Sequence, residues 1–570
     1  MDELIKNELA DSTPVDVEGL NEILFPDVAF PITLQEIFTK MCEISPELYD
    51  HKSRKWQDSP NFRDSDQELP IAVFFEKICN LVRAVYAALG KKLPEEHRSW
   101  SADHRSRPLD EGVLARQPDI VGILIELRTT WACLRVDVQH KGTINAKDLV
   151  TTQLNDGGMN SLSSQDDRLF HVGIGMTGSL IFTTYFDRAG RLRSTSTDIH
   201  QEPLAFLRIL LGLTFLDKRH LGYDSTILTS DEHPGVRFVI VAGRTYEILE
   251  RLNKRPEIRG LGTVCWRCKT KIEDGKDLIV VIKNSWADRS REHTEDVYLK
   301  RAAEKHIQGV PTCIAYEVVM IDGRRISTSD IRSRLKQSAQ FKNVEVRDLS
   351  RLVMNELCVP LENFATKSEL LLALVDAVTA HKKLCEDADI LHTDICDKNV
   401  MLTVADKSSR QLSRKGMLID LNYARFMPYT RIESSKGQRS CPAFFKACEL
   451  LSFPQLYEPA YYHDLESFTY VLMWICVCYN GPKGKRRENF SIMESEFGLW
   501  LDSHPRRAGG TKKDIMALRA ADEPDPFVDF LKATFSPYFQ DFMPCVYALR
   551  QAVMRSGPTR CTHDEFLGIL

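Results

Sequence analysis

The stretch that most constrains this chain is a hairpin between Leu391 and Leu421, with polar residues at both of its open ends. It begins Leu391-His392-Thr393-Asp394-Ile395-Cys396-Asp397-Lys398-Asn399-Val400-Met401-Leu402. The pattern predicts a strand over Val400–Ala405, a polar loop over Asp406–Lys415, and a returning strand over Gly416–Leu421 that carries Asp420. Two antiparallel strands joined by a loop have their open ends side by side, so Asp394 and Asn399 at the entry fall near Asp420 at the exit. A carboxylate that can take a hydroxyl proton then lies close to an amide and a second carboxylate that can ligate a hard cation. Phosphoryl transfer asks for those groups. A His, an Asp and an Asn before a strand also make an ordinary cap or turn cluster, so the rest of the chain has to decide.

Upstream, Arg259-Gly260-Leu261-Gly262-Thr263-Val264 follows strand patterns at Val236–Ala242 and Tyr246–Leu252. A Gly-x-Gly lets backbone N–H groups approach a phosphate chain, and it is equally a common turn. Asp277–Ile282 is a β-rich run ending in Lys283. Glu295 then begins an amphipathic helix through Glu304, with Val297, Tyr298, Leu299 and Ala302 on its apolar side. A strand lysine that grips nucleotide phosphates needs such a helix-borne acid. Met320–Leu349 reads as a polar, basic connection, Leu352–Cys358 as a strand running to a hinge at Pro360, and Leu370–Leu384 as a core helix. Downstream, Ala424–Cys448 lacks periodicity and closes on Glu449. His463-Asp464-Leu465-Glu466-Ser467 opens a helix whose continuation, Phe468–Tyr479, is apolar all round and must be buried. Asp464 suits its first turn.

The 570 residues exceed what one hydrophobic core can hold. A formal charge of −5 argues against nucleic acid as the dominant partner. Met1–Asp16 lacks the apolar core of a signal peptide, no apolar run is long enough for a bilayer, and 15 irregularly spaced cysteines fit a reducing compartment. The expected location is intracellular, in cytoplasm or nucleus. Cys265-Trp266-Arg267-Cys268 is a lone CxxC, read as strand cysteines rather than half of a zinc site. Gly481–Glu488 and His504–Asp525 read as loops, and Lys512-Lys513 as solvated loop charges.

The first 68 residues are acidic and proline-punctuated and read as a partly disordered arm, with a possible helix at Leu34–Ile44. An α+β domain is expected over residues 69–232. It has a helix at Leu69–Leu89, a loop at His97–Arg116, strands at Ile120–Leu127 and Trp131–Gln139, and a flexible loop at Asp156–Asp167. A hairpin at Phe170–Met176 and Leu180–Asp187 and a helix at Leu204–Leu216 complete it. Asp119 and Gln139-His140-Lys141 follow the order of PD-(D/E)xK nucleases, with Asp137 able to stand in for the missing acid. An ordinary hairpin remains the preferred reading.

Five further stretches bear on the whole: PDIV from Pro118, YFDRAGRLRSTSTDIH from Tyr185, LGYDSTI from Leu221, VVIKNSW from Val280 and HDLESFTYVLMWIC from His463. With them the chain resembles the fungal-type protein kinase family from about Gln117 to Glu496. The resemblance implies an α+β chain, a two-lobed protein-kinase-like domain preceded by a smaller α+β domain, with an N-lobe over 233–355 and a C-lobe over 356–570. It implies ATP and Mg2+ as cofactors and a protein hydroxyl, of Ser or Thr, as acceptor. Gly260, Gly262 and Lys283 would hold ATP, and Lys283 would pair with Glu295. Asp394 would be the catalytic base and Asn399 and Asp420 the magnesium ligands, with His392, Asp464 and Glu449 as supports. Two residues depart from the family pattern. Thr393 stands where an arginine normally reads a phosphate on the activation segment, so phosphorylation of Thr430, Ser434 or Ser435 is not expected to switch activity. Asn422 replaces the glycine after the metal-binding Asp, and asparagine tolerates left-handed backbone angles. The alternatives are a weak pseudokinase acting as an ATP-binding or scaffold module, and a small-molecule phosphotransferase; the activation-segment length and the His463–Ser467 helix start count against the second.

Overall fold

A computed structural model describes residues 2–9, 13–64, 66–93, 98–124, 127–230, 232–233, 235–272, 274–336, 341, 344–404, 414–428, 443–502, 504–519 and 525–570. Residues 406–413 of the loop read at Asp406–Lys415, and the positions Thr430, Ser434 and Ser435, lie outside these residues. The chain divides into two compact units. The first is Met1–Gly275 with Ile282–Ser290 and Glu317–Arg351; the second is Lys276–Val281 with Arg291–Tyr316 and Leu352–Leu570.

The first unit contains a sheet in the order Arg98–Ser101, Ile120–Leu124, Val136–Lys141, His171–Thr177, Leu180–Asp187, Gly190–Arg193, with Thr197–Asp198 also paired to Leu180–Asp187. Its pairs are antiparallel except Val136–Lys141 with His171–Thr177, which run parallel because the helix Lys147–Ser164 carries the chain back between them. Strand periodicity sorts the side chains. Val136, Val138 and Ile174 join the helices Glu68–Ala88 and Pro203–Phe215 in one core, and Phe182 and Phe186 pack with Leu154 and Leu162 of Lys147–Ser164 in another.

Four expectations for this region change. The segment read as a loop from Asp156 is helical to Ser164. Gly157 and Gly158 are there because the helix lies flat on the sheet: a Cβ at Gly157 would sit 2.0 Å from the Asp137 carboxylate, and one at Gly158 would sit 2.7 Å from the Phe186 ring. The N-terminal arm is packed. Helices Leu20–Leu24 and Leu34–Ile44 bury Leu20, Leu24, Ile37 and Met41 in the main core, along with the fully buried Trp56, so the prolines separate short docked elements. The third strand starts at Val136 rather than Trp131, and Arg98–Ser101 is a strand inside the stretch read as a loop.

A second ladder in the same unit runs antiparallel through Ile227–Thr229, Arg237–Val241, Arg244–Lys254 and Val264–Lys271. Cys265 and Cys268 fall on opposite faces of the last of these strands and cannot share a metal. The Met320–Leu349 connection carries a short helix, Ser329–Arg334, whose Arg332 forms a buried ion pair with Asp187 (Nη2–Oδ1 2.9 Å). Arg351 is fully buried and binds Asp224 (2.6 Å), Asn284 (3.1 Å) and the Ile240 carbonyl (3.1 Å), tying three distant segments with one guanidinium.

The second unit is built on two long helices, Lys367–Asp387 and Tyr461–Cys478, the latter buried on nearly every side as its composition requires. Glu295–Glu304 is a helix over the residues read from sequence. The hairpin Val400–Thr403 and Gly416–Leu418 forms, with Cys358–Pro360 added at its edge. The stretch read as a loop from His504 contains the helix Pro505–Met516. Lys512 on it is fully buried, its pKa pushed down to about 8 by that burial. Its amine donates to the carbonyls of Ala443 (3.0 Å), Phe444 and Lys446 (2.8 Å) and sits 3.8 Å from the centre of the Tyr470 ring. No described helix is long and apolar enough to cross a membrane.

Arg351→Met leaves the Asp224 carboxylate buried without its cation. This should lower the stability of the first unit by about 3–5 kcal/mol, read as a shift of its urea unfolding midpoint.

Candidate active site

In the second unit, the frame of the site starts at the buried helix. Asp464 Oδ2 accepts the Thr393 N–H (2.9 Å) and also bonds His381 Nε2 (2.9 Å). Thr393 has φ 65°, a left-handed conformation that a β-branched residue rarely takes. It is held there from both ends, because its Oγ1 donates to the Tyr423 carbonyl (2.7 Å). His392 is fully buried, and that burial pushes its pKa down. As a neutral ring it donates from Nε2 to the Ile419 carbonyl (3.0 Å) and accepts the Asp394 N–H at Nδ1 (3.3 Å). Asn399 turns its Nδ2 to the Asp394 carbonyl (2.7 Å) and to Asp394 Oδ2 (3.2 Å). The Ile419 N–H donates to the Asn399 carbonyl (2.9 Å), so the ladder continues past Val400 and Leu418 and places Asp420 directly after the residue bonded to Asn399.

Asp420 is left-handed too, at φ 68° and ψ 71°, and accepts the Asn422 N–H at 3.4 Å. The sequence reading located the left-handed tolerance at Asn422. The structure gives that conformation to Asp420 and sets Asn422 within the short turn Leu421–Tyr423. The next amide, Leu421 N–H, donates to Glu295 Oε1 (3.0 Å), so the helix acid reaches the backbone beside Asp420. Glu449 takes Arg560 Nη2 on both oxygens (2.9 Å each) and pairs with His463 Nε2 (3.1 Å).

Sequence reasoning missed His381, Tyr423 and Arg560. His381 carried a usable signal, a histidine on the buried side of Lys367–Asp387 among Leu374, Ala377, Val378 and Leu384. Arg560 carried none, since it lies 111 residues beyond the acid it meets.

Lys283 and the glycine loop belong to the first unit, whereas Glu295 belongs to the second. Lys283 is buried on the strand Asp277–Asp288. The glycine loop, residues 255–263, joins Arg244–Lys254 to Val264–Lys271, and the amides of Ile258, Arg259, Gly260 and Gly262 point at protein acceptors. Gly260 N–H donates to the Arg188 carbonyl (3.0 Å) and Gly262 N–H to Glu257 Oε1 (2.7 Å). Ile258 N–H (2.5 Å) and Arg259 N–H donate to Glu8 Oε1. Gly262 is left-handed at φ 51°, and a Cβ there would meet Arg188 Nε at 2.3 Å, so only glycine fits. The nuclease-like residues do not form an open metal site. Asp137 is buried against His171 (2.6 Å), and Asp119 accepts the His140 N–H (2.7 Å) with Lys141 Nζ at 3.7 Å.

The family model described as fungal protein kinase matches residues 125–476. The chain belongs to the fungal protein kinase family. That span includes Gly260, Gly262, Lys283, Glu295, Asp394, Asn399, Asp420, Glu449 and Asp464. No curated protein matches the chain. Among solved structures, "Structure of vaccinia related kinase 3" aligns with 59% of this chain and 92% of its own, at 13% identity and a TM-score of 0.31. Protein kinases as a family use ATP and a divalent metal in general.

The His381–Asp464 contact has a calculable pH dependence. Burial opposes a charged His381, but Cys385 and Asp464 outweigh it and hold its pKa above the ordinary value of 6.5. For Asp464 burial likewise opposes the charge, and the His381 bond holds its pKa below the ordinary 3.8. A histidine with a raised folded pKa contributes its stability fully below 6.5 and loses it as pH rises above that value. Thermal unfolding of the wild type should therefore weaken from neutral toward alkaline pH, and Asp464→Asn should flatten that slope.

Proposed function

We propose that the chain is a Mg-ATP-dependent protein kinase that phosphorylates Ser or Thr hydroxyls. The observation that carries this reading is the hydrogen-bonded frame of Asp464, Thr393, His392 and Asn399 that fixes the Asp394 carboxylate. Asp394 takes the proton of the attacking hydroxyl as that oxygen bonds to the γ-phosphorus, and the bond to the ADP oxygen breaks. Its orientation is set before substrate arrives, because Asn399 Nδ2 holds both its backbone and its Oδ2.

The donor set fits magnesium. With Nδ2 committed to Asp394, the Asn399 amide oxygen is the atom left to ligate, and Asp420 adds a carboxylate, both hard oxygen ligands. When bound, the ion would neutralise charge on the transferring phosphoryl group. Lys283 is assigned to the phosphates as a fixed positive charge, and Glu295 to steadying the backbone after Asp420. One observation favours a second reading, an ATP-binding or scaffold module without transfer: the amides of the glycine loop are already engaged by Glu8, Glu257 and Arg188.

Radiolabel transfer from Mg-ATP, to the chain itself and to a generic protein acceptor, separates the two readings. Asp394→Asn should reduce transfer by about 10²–10⁴-fold while retaining nucleotide binding, and Lys283→Met should reduce transfer as well. Binding of ATP with no Asp394-dependent transfer would establish the scaffold reading instead.

A further inference from the structure

The glycine loop is held by a part of the chain far from it in sequence. The helix Asp2–Leu9 places Ile5 and Leu9 in a buried cluster with Ile258, the loop residue at the foot of the Gly-x-Gly. From the same helix Glu8 Oε1 accepts the N–H groups of both Ile258 and Arg259. Two successive amides aimed at one carboxylate oxygen form an anion-binding concavity, here filled by a side chain of the same molecule. The Glu257 carboxylate, inside the loop, takes the Gly262 amide. Arg188 also holds the loop, with its carbonyl on Gly260 N–H, its guanidinium on the Glu257 carbonyl, and its Nε 2.3 Å from where a Cβ on Gly262 would sit.

The arrangement sets two carboxyl groups, those of Glu8 and Glu257, beside a loop whose amides would be needed by a polyanionic ligand. Burial, with Glu257 adding to it, pushes the Glu8 pKa up to about 7, so the fold accommodates this carboxylate at a cost. An interaction held at a cost and made by a helix of 8 residues is one that competition can break.

We propose that the helix Asp2–Leu9 is an inhibitory latch on the glycine loop, in which Glu8 occupies amides that a nucleoside triphosphate must win to be gripped. The proposal rests on the kinase reading above and adds its regulation. The phosphates and the Glu8 carboxylate compete for the same donors, so removing the Glu8 charge raises nucleotide affinity. Removing the whole carboxylate also loosens the loop, because Ile258 and Arg259 lose their acceptor, whereas a glutamine keeps an amide oxygen that accepts both N–H groups without the charge.

The test uses the full chain as wild type, Glu8→Ala and Glu8→Gln, with two readouts. These are Mg-ATP affinity by calorimetry and amide hydrogen exchange over residues 255–263. Glu8→Gln keeps the size of the side chain and serves if Glu8→Ala disturbs the helix. The expected result is Mg-ATP binding at least about tenfold tighter in the variants, a change worth about 1.4 kcal/mol, with faster exchange confined to the loop in Glu8→Ala. Binding by the variants alone would support the latch in its strongest form. Equal affinity in wild type and variants, or unchanged loop exchange in Glu8→Ala, overturns the latch and leaves the kinase reading standing. Failure of every form to bind Mg-ATP overturns the kinase reading and the latch with it.

Discussion

The Asp464 carboxylate is the constraint on which the turn between His392 and Asp394 in the second unit depends. It is buried in the middle of that unit, and the groups it bonds are a backbone amide in an unfavourable conformation and a histidine on a neighbouring helix. A threonine at φ 65° costs free energy of order 1–3 kcal/mol. That cost is tolerable only because Asp464 and the Tyr423 carbonyl hold both ends of the residue. The strain has a structural result: it turns the chain sharply between His392 and Asp394, so the histidine points into the core and the carboxylate toward Asn399. An arginine at position 393 could read a phosphate; the threonine hydroxyl here is spent inward, on Tyr423. The loop is thus fixed by internal contacts in the place where the family pattern has a site for regulatory phosphate.

Much of this was legible in sequence, and what was not has physical reasons. The hairpin ends and the helix Glu295–Glu304 could be read because alternation and helical periodicity are local properties. The apolar run after His463 declared a buried helix for the same reason. The glycine pair at 157–158 misled, because glycine is usually a breaker and here it admits close packing against Asp137 and Phe186. Lys512 misled in the opposite way. A lysine beside a second lysine reads as surface charge, yet three carbonyls and an aromatic face can house a buried ammonium, and that environment is assembled from residues 42–69 positions away. Glu8 was invisible for the same reason, since its partners lie 250 residues on.

The division of the chain places the glycine loop with the N-terminal α+β region rather than with the hairpin that bears Asp394. Buried guanidiniums make that region one body: Arg351 binds Asp224 and Asn284, Arg332 binds Asp187, and Arg188 spans from the Leu162 carbonyl to the Glu257 carbonyl. Each joins the chain after residue 227 to the chain before it. Arginine suits this work because its planar fork serves several acceptors at once and stays charged when buried.

That joining changes what the N-terminal region can be. A separate domain on a linker could recruit partners while leaving the loop's geometry untouched. Here the sheet residue Arg188, the helix residue Glu8 and the core residue Ile258 set the positions of the loop's amides directly. Any ligand or modification that moves the N-terminal helix by a fraction of a hydrogen-bond length alters two donors of the loop together. Hydrogen bonds weaken steeply with length and angle, so the coupling between this region and the loop follows from contact, with no further relay needed.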